Sequence, residues 1–267
     1  MITIKNKEQI EYMKQAGKVV EETLLRLEEL IKPGITTAEL DKVAEDFIMS
    51  RNAVPSFKGY NGFPSSICVS INDEVVHGIP SKNRQINEGD IISIDCGAIL
   101  NGYHGDAART FPVGKVSEEA LKLIEVTKNS FFQGIKKAYI GNRLSDISSE
   151  IQNYVEAFEY SIVRDYVGHG IGTSMHEDPE IPNFGKPGHG PKLVKGMVLA
   201  IEPMVNIGRY DVKVQANGWT VVTKDRSLSA HYENTVAILE DGPEILTLSS
   251  SRGEKFGEWL LRYSCVL

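Results

Sequence analysis

Two stretches decide the reading of this chain: Gly89-Asp90-Ile91-Ile92-Ser93-Ile94-Asp95 and Gly196-Met197-Val198-Leu199-Ala200-Ile201-Glu202. They agree position by position: a glycine, a short apolar run of the length of a buried strand, then an acid. Each acid is followed, after a hairpin-like stretch, by another acid close to a threonine, Asp106 before Thr110 and Glu233 before Thr235. Two hairpins alike by chance would give such an echo. So would an old duplication whose two half-domains set paired acids at one centre. No linker or low-complexity segment separates the halves, so the sequence up to residue 248 reads as one domain.

Outward from these stretches the pattern alternates between helix and strand. Asn6 is placed to cap a helix whose Ile10, Met13, Ala16, Gly17, Val20, Leu24, Leu27 and Ile31 recur at helical spacing until Lys32-Pro33-Gly34. Thr36 and Glu39 have the form of a capping box for a second helix through Leu40, Val43, Phe47 and Ile48. Strands and hairpins follow to about Gly114, Ile67-Cys68-Val69 among them. Helical spacing returns from Ser117 to Tyr139 and from Leu144 to Phe158. Strands then resume, clearest at Val198 to Ile201, Val212 to Val222 and Thr235 to Leu239.

Composition narrows the function. The 267 residues hold 29 Lys and Arg against 36 Asp and Glu, a net charge of −7, which argues against a general nucleic-acid binder. No apolar run is long enough to span a membrane, and the first residues lack a signal peptide's apolar stretch. Three cysteines form no disulfide framework. A cytoplasmic protein is expected.

Asp95 and Glu202 follow apolar strands that have no Lys or Arg of their own. Any one such acid is best read as a solvated strand end. Four in a repeated pattern point elsewhere, because clustered carboxylates need compensation, and about four balance two divalent cations. His169, framed in Val167-Gly168-His169-Gly170-Ile171-Gly172, is a fifth candidate. Oxygen-rich ligation with one imidazole suits Mn, Fe, Co or Zn, and a pair of such ions equips a hydrolase.

At this point the chain resembles the methionine aminopeptidases, in their short bacterial type 1 form. The resemblance rests on Val76-His77-Gly78-Ile79-Pro80, Asp95-Cys96-Gly97, Gly102-Tyr103-His104-Gly105-Asp106, Gly168 to Gly172, His176-Glu177, Ile201-Glu202-Pro203 and Ser229-Ala230-His231-Tyr232-Glu233-Asn234-Thr235. It implies an α/β (α+β) pita-bread, or creatinase/aminopeptidase, fold of two pseudo-symmetric halves with antiparallel sheet and flanking helices. It implies a dinuclear divalent centre held by Asp95, Asp106, His169, Glu202 and Glu233, with Asp106 and Glu233 bridging. A bridging hydroxide would attack the first peptide carbonyl, with His176 on the oxyanion, Glu202 relaying the proton and His77 on the leaving-side nitrogen. The implied methionine pocket is Phe57, Tyr60, Phe63, Cys68, Met175 and Trp219; Met175 stands where relatives often carry an aromatic, and Phe57 where some carry Cys. The implied substrates are nascent or newly made polypeptide N-termini with a small second residue, met by a monomer in transient contact with the ribosome.

Other residues rank lower. His104 and His231 lie two positions from proposed ligands, where packing is favoured over contact with those ligands. His189 reads as part of a solvated loop, Cys68 and Cys96 as inert buried thiols, and Cys265 as accessible. Ser249 to Leu267 departs from the family pattern, and Phe256, Trp259, Leu260 and Tyr263 suit an amphipathic turn or a frayed tail. Three rivals stand beside the main reading. An Xaa-Pro aminopeptidase or prolidase shares the fold but usually has a large additional N-terminal domain. A non-catalytic binding protein on this fold would typically have lost ligands, and a metal-dependent oxygenase would favour two histidines with one carboxylate.

Overall fold

Asn6 meets its expected role through a reciprocal pair of hydrogen bonds. Its side chain accepts from the Gln9 N–H at 2.9 Å, and the Gln9 side chain accepts from the Asn6 N–H at 2.8 Å. This capping box opens α1, Lys7–Glu28. Thr36 and Glu39 repeat the device for α2, Thr37–Ser50. Ser117 caps α3, Glu118–Ile135, and α4 spans Leu144–Glu156. The computed structural model describes residues 1–248; the proposed tail structure and Cys265 lie outside the described residues.

Each helix pair is followed by an antiparallel hairpin system. After α1 and α2, the strand Ile91–Leu100 pairs along one edge with Tyr103–Pro112. Its other edge takes Ile67–Ile71 and Val54–Pro55. After α3 and α4 comes a five-stranded sheet in the order Gly242–Ile245, Asn234–Leu239, Val198–Ile201, Gly168–Gly170, Glu177–Ile181. There are two smaller antiparallel sheets: Ser229–His231 with Met204–Asn206 and Ser161–Ile162, and Val212–Val214 with Val221–Thr223 and Glu74–Val76.

Separate apolar cores hold the two halves. One packs Val20, Leu24 and Leu27 of α1 and Leu40 and Ile48 of α2 on Ile92, Ile94 and Cys96. The other packs Leu123, Phe131 and Ile135 of α3 and Ile147 and Ile151 of α4 around Leu199, Ile201 and Val236. Burial of these side chains is the main stabilising term, about 1.5–3 kcal/mol for each large one. The approach of α1 to its hairpin depends on two glycines: a Cβ on Gly105 would lie 2.6 Å from the Gly17 nitrogen. This mixed α/β architecture is the expected one.

The seam between halves is made by two threonines. Thr235 Oγ1 accepts from the Asp106 N–H at 3.0 Å and donates to the Asp106 carbonyl at 2.9 Å. Thr110 Oγ1 does the same to His231, at 2.9 Å each way. Between these clasps the Glu233 N–H donates to the Ala108 carbonyl at 3.0 Å.

That register corrects one limb of the sequence echo. Asp95 sits opposite Ala108, and the register that pairs Ile201 with Asn234 runs next to Glu202 and Glu233. Asp95 and Glu202 are therefore counterparts, as the echo holds. Asp106, however, corresponds to His231, and Glu233 corresponds to Ala108. The continuous strand expected from Val212 to Val222 is also corrected. Val212–Val214 and Val221–Thr223 are two arms of a hairpin, because the Asn217 side chain accepts from the Trp219 and Thr220 N–H groups and Gly218 takes a φ of +77°.

Candidate active site

Four carboxylates converge where the hairpins meet. Asp95 and Asp106 point to the same face because Asp95 is opposite Ala108, two residues along from Asp106. Cys96, one residue on, faces the apolar core instead. From the other half come Glu202, just past the strand Val198–Ile201, and Glu233, just before Asn234–Leu239. Asp106 and Glu233 are 3% and 1% exposed.

Among the described residues no Lys or Arg pairs with any of these four acids. Arg109, on the same strand as Asp106, donates to the backbone carbonyls of Ala108 and Glu233 and to Asn234 Oδ1, and stacks over the Tyr232 ring. Burial lifts Asp95 to about 7, with His231 pulling down and Glu202 pushing up. Burial, then the charges of Asp95 and Glu202, hold Asp106 well above the usual carboxylate range. Burial and the Asp106 charge do the same to Glu233, and burial to Glu202.

The atoms left without partners test what the cluster suits. Asp95 Oδ1, Asp106 Oδ1, Glu233 Oε1 and His231 Nε2 are buried with no hydrogen-bond partner. Unpaired buried polar atoms are costly, and here they share one place. His169 belongs to the same group: its Nδ1–H donates to the Gly170 carbonyl at 2.9 Å, which leaves Nε2 facing Asp106 Oδ2 and Glu202 Oε1, each at 3.7 Å. Burial pushes the His169 imidazole down to about 3, so it is a neutral donor. Two triads bring one donor atom apiece within 4.8 Å of each other: Asp106, His169 and Glu233, and Glu202, His231 and Glu233. Oxygen-rich donors with imidazole fit divalent cations such as Mn, Fe, Co or Zn.

Beside the cluster opens a cavity of about 190 Å³, below the roughly 300–1,000 Å³ of pockets for drug-sized ligands. It has room for one side chain. Phe57, Phe63, Cys68 and Met175 pack together along it, with Trp219 against them. Phe63 and Trp219 meet edge to face at 5.1 Å. Tyr60 stands at the mouth, 38% exposed, its hydroxyl 2.8 Å from His176 Nδ1. His176 lies 4.2 Å, ring to ring, from His169. His77, held at φ +59° and half-buried, faces Tyr166 and Trp219, and burial lowers it to about 4.

Every residue singled out for ligand, catalytic or pocket roles lies along this one space. His104 does not: it is buried against Ser56 Oγ at 2.9 Å, which is packing, as expected. His189 is exposed. Cys68 and Cys96 are free and buried, and burial pushes both thiols up. His231, assigned to packing from the sequence, instead sits at the carboxylates. Its signal lies in the threonines, four residues after Asp106 and four after His231. Asn61 also lines the cavity, in a left-handed turn whose sequence sign is the Asn61-Gly62 pair.

The pattern of metallopeptidase family M24 matches residues 11–240. A methionine aminopeptidase from Clostridium acetobutylicum is 72% identical over 248 residues, 93% of this chain and 99% of that protein. The crystal structure of a methionine aminopeptidase from Thermotoga maritima superposes with a TM-score of 0.92 at 46% identity, covering 93% of this chain and all of that one. A prolidase from Pyrococcus furiosus is more distant, with a TM-score of 0.74 and 25% identity over 92% of this chain and 65% of its own.

Proposed function

The chain belongs to the methionine aminopeptidases of metallopeptidase family M24, and from that premise we propose that it removes the N-terminal methionine of newly made proteins whose second residue is small. The observation that carries this is the narrow cavity with sulfur and aromatic walls that ends on a cluster of unpaired carboxylates. Methionine is unbranched and polarisable and suits such a slot.

Asp95, Asp106, His169, Glu202 and Glu233 would hold two divalent cations of Mn, Fe, Co or Zn. Such a pair supplies a hydroxide nucleophile at neutral pH. The residues of the chain do the rest. The end of the cavity where the cations would be held would receive the substrate's α-amino group, which an internal peptide bond lacks, so the reaction is confined to chain ends. Tyr60 O–H donates to His176 Nδ1 and leaves Nε2–H to stabilise the oxyanion that forms on the first carbonyl. Glu202, which lines the cavity at the carboxylate cluster, would take the proton of the attacking nucleophile and pass it to the leaving nitrogen. His77, neutral at pH 7, accepts a hydrogen bond from the leaving-side N–H.

Both halves form a single catalytic unit on this reading, since each supplies carboxylates. The cytoplasm, where new chains emerge, is the proposed setting, with the enzyme acting as a monomer in transient contact with the ribosome. A series of Met-Xaa-Ser peptides in which only Xaa varies, assayed across metals beside Ala-Pro peptides, tests the proposal. Release of methionine when Xaa is Ala, Gly or Ser, and not when it is Leu or Phe, is the expected result. Preferential cleavage of Ala-Pro peptides would establish the prolidase reading instead.

A further inference from the structure

His231 has the signature of a metal donor, and the five-residue ligand set leaves it out. It is 2% exposed, its Nε2 has no hydrogen-bond partner, and it lies 3.6 Å from Glu202 Oε2 and 3.9 Å from Glu233 Oε2. These gaps are too long for hydrogen bonds. Donor atoms about 2.0–2.2 Å from one ion lie up to ~4.2 Å from each other, so His231 Nε2 is placed to share a cation with either carboxylate, and the three side chains bring one donor atom apiece within 4.8 Å of one another. His169 shows the same spacing, with Nε2 at 3.7 Å from both Asp106 Oδ2 and Glu202 Oε1. Glu202 thus stands between two imidazoles, Oε1 toward His169 and Oε2 toward His231.

The backbone argues for the same assignment. Thr110 clasps His231 by its N–H and carbonyl, and Thr235 clasps Asp106 in the same way. His231 therefore occupies in one half the place that Asp106 occupies in the other. Asp106 is a member of one donor triad and His231 of the second, with Glu233 common to both.

We propose that His231 Nε2 is a donor to the cation held between Glu202 and Glu233, so that the centre has two imidazole ligands. This deepens the metallopeptidase reading and rests on it. A second imidazole moves the donor set away from the all-oxygen sites that suit Mn and toward those that suit Co and Zn.

Cobalt(II) is the probe. The full chain, stripped of metal and reloaded with two equivalents, is examined by proton NMR in H₂O and D₂O. Each imidazole bound through Nε2 retains its Nδ1–H and gives one hyperfine-shifted, solvent-exchangeable resonance. Two such resonances are expected for the unaltered protein and one for His231→Gln. Calorimetry should show the affinity for one of the two equivalents reduced at least about tenfold, the lower end of what loss of a residue that merely supports a ligand costs. One resonance in the unaltered protein, or two in both proteins, overturns the proposal. If His231→Gln does not fold, the count in the unaltered protein decides alone. Failure to bind cobalt at all would overturn the metallopeptidase reading as well, whereas tight binding with a single resonance removes only His231.

Discussion

Of the places in this molecule that bury ionised or ionisable groups, two treat charge in opposite ways. At the first, Lys5 Nζ meets Glu177 Oε2 at 2.6 Å, with side chains 3% and 10% exposed. The pair ties the N-terminal segment, which the Lys5 N–H also pins to the Gly196 carbonyl, to the segment that carries His176. At the second, four carboxylates gather with neutral histidines, none of their side chains paired with a Lys or Arg among the described residues, and several of their atoms have no partner. Protein supplies the counter-charge in one place and withholds it in the other. A paired charge is a structural device, complete when the chain has folded. An unpaired cluster is incomplete, and its missing component must come from solution.

Substitutions should separate the two by sign. Glu233→Gln is expected to lower peptide turnover by roughly three orders of magnitude or more, since residues that act as a unit fail together. Bound metal, measured by atomic emission, should fall with it. The metal-free variant should melt no lower than the metal-free parent, because a neutral isostere relieves repulsion among the acids. Lys5→Met should do the reverse. It leaves Glu177 buried and unpaired and should cost about 3–5 kcal/mol in denaturant unfolding, with or without metal. Equal destabilisation of the metal-free protein by both changes would erase the contrast.

His176→Ala tests the border between the two places, since His176 neighbours both Glu177 and His169. Turnover of Met-Ala-Ser should fall by about 10²–10³, as for loss of one oxyanion donor, with metal content unchanged. Loss of metal would make His176 part of the cluster instead.

What was legible in the sequence follows the same division. The capping boxes at Asn6 and Thr36 and the strand pair ending in Asp95 and Glu202 are local patterns, and each could be read from its own few residues. The seam could not. Thr110 and Thr235 reach across more than a hundred residues to clasp backbone atoms, which leaves no periodic trace. Asp106 was therefore aligned with Glu233 rather than with His231, and His231 was read as packing. The turn that brings Trp219 to the cavity was legible as Asn217-Gly218 between the valine runs, a hairpin signal that reading Val212 to Val222 as one strand passes over.

One further effect sets the two places against each other in a single titration. Burial would raise Glu177, but the hydrogen bond and charge of Lys5 outweigh it and hold the carboxyl below its usual range. Folding then releases a proton, so this pair's contribution is present above about pH 4.5 and is lost as pH falls through the folded value. Asp95 is raised to about 7, and Asp106, Glu202 and Glu233 stand well above their usual range. Folding there takes up protons, and stability is lost as pH rises. Between about pH 7.5 and 8.5 Glu177 is ionised in both states and the lowered histidines are almost wholly neutral in both, which isolates the cluster. In that window the metal-free protein should lose about 1.4 kcal/mol per pH unit for each carboxyl that the fold keeps protonated. Saturating Mn²⁺ should flatten the slope, because cations replace the protons. Thermal unfolding at several pH values, with metal and with chelator, measures it. A metal-free protein as indifferent to pH as the loaded one would mean that the acids already have their counter-charge within the protein.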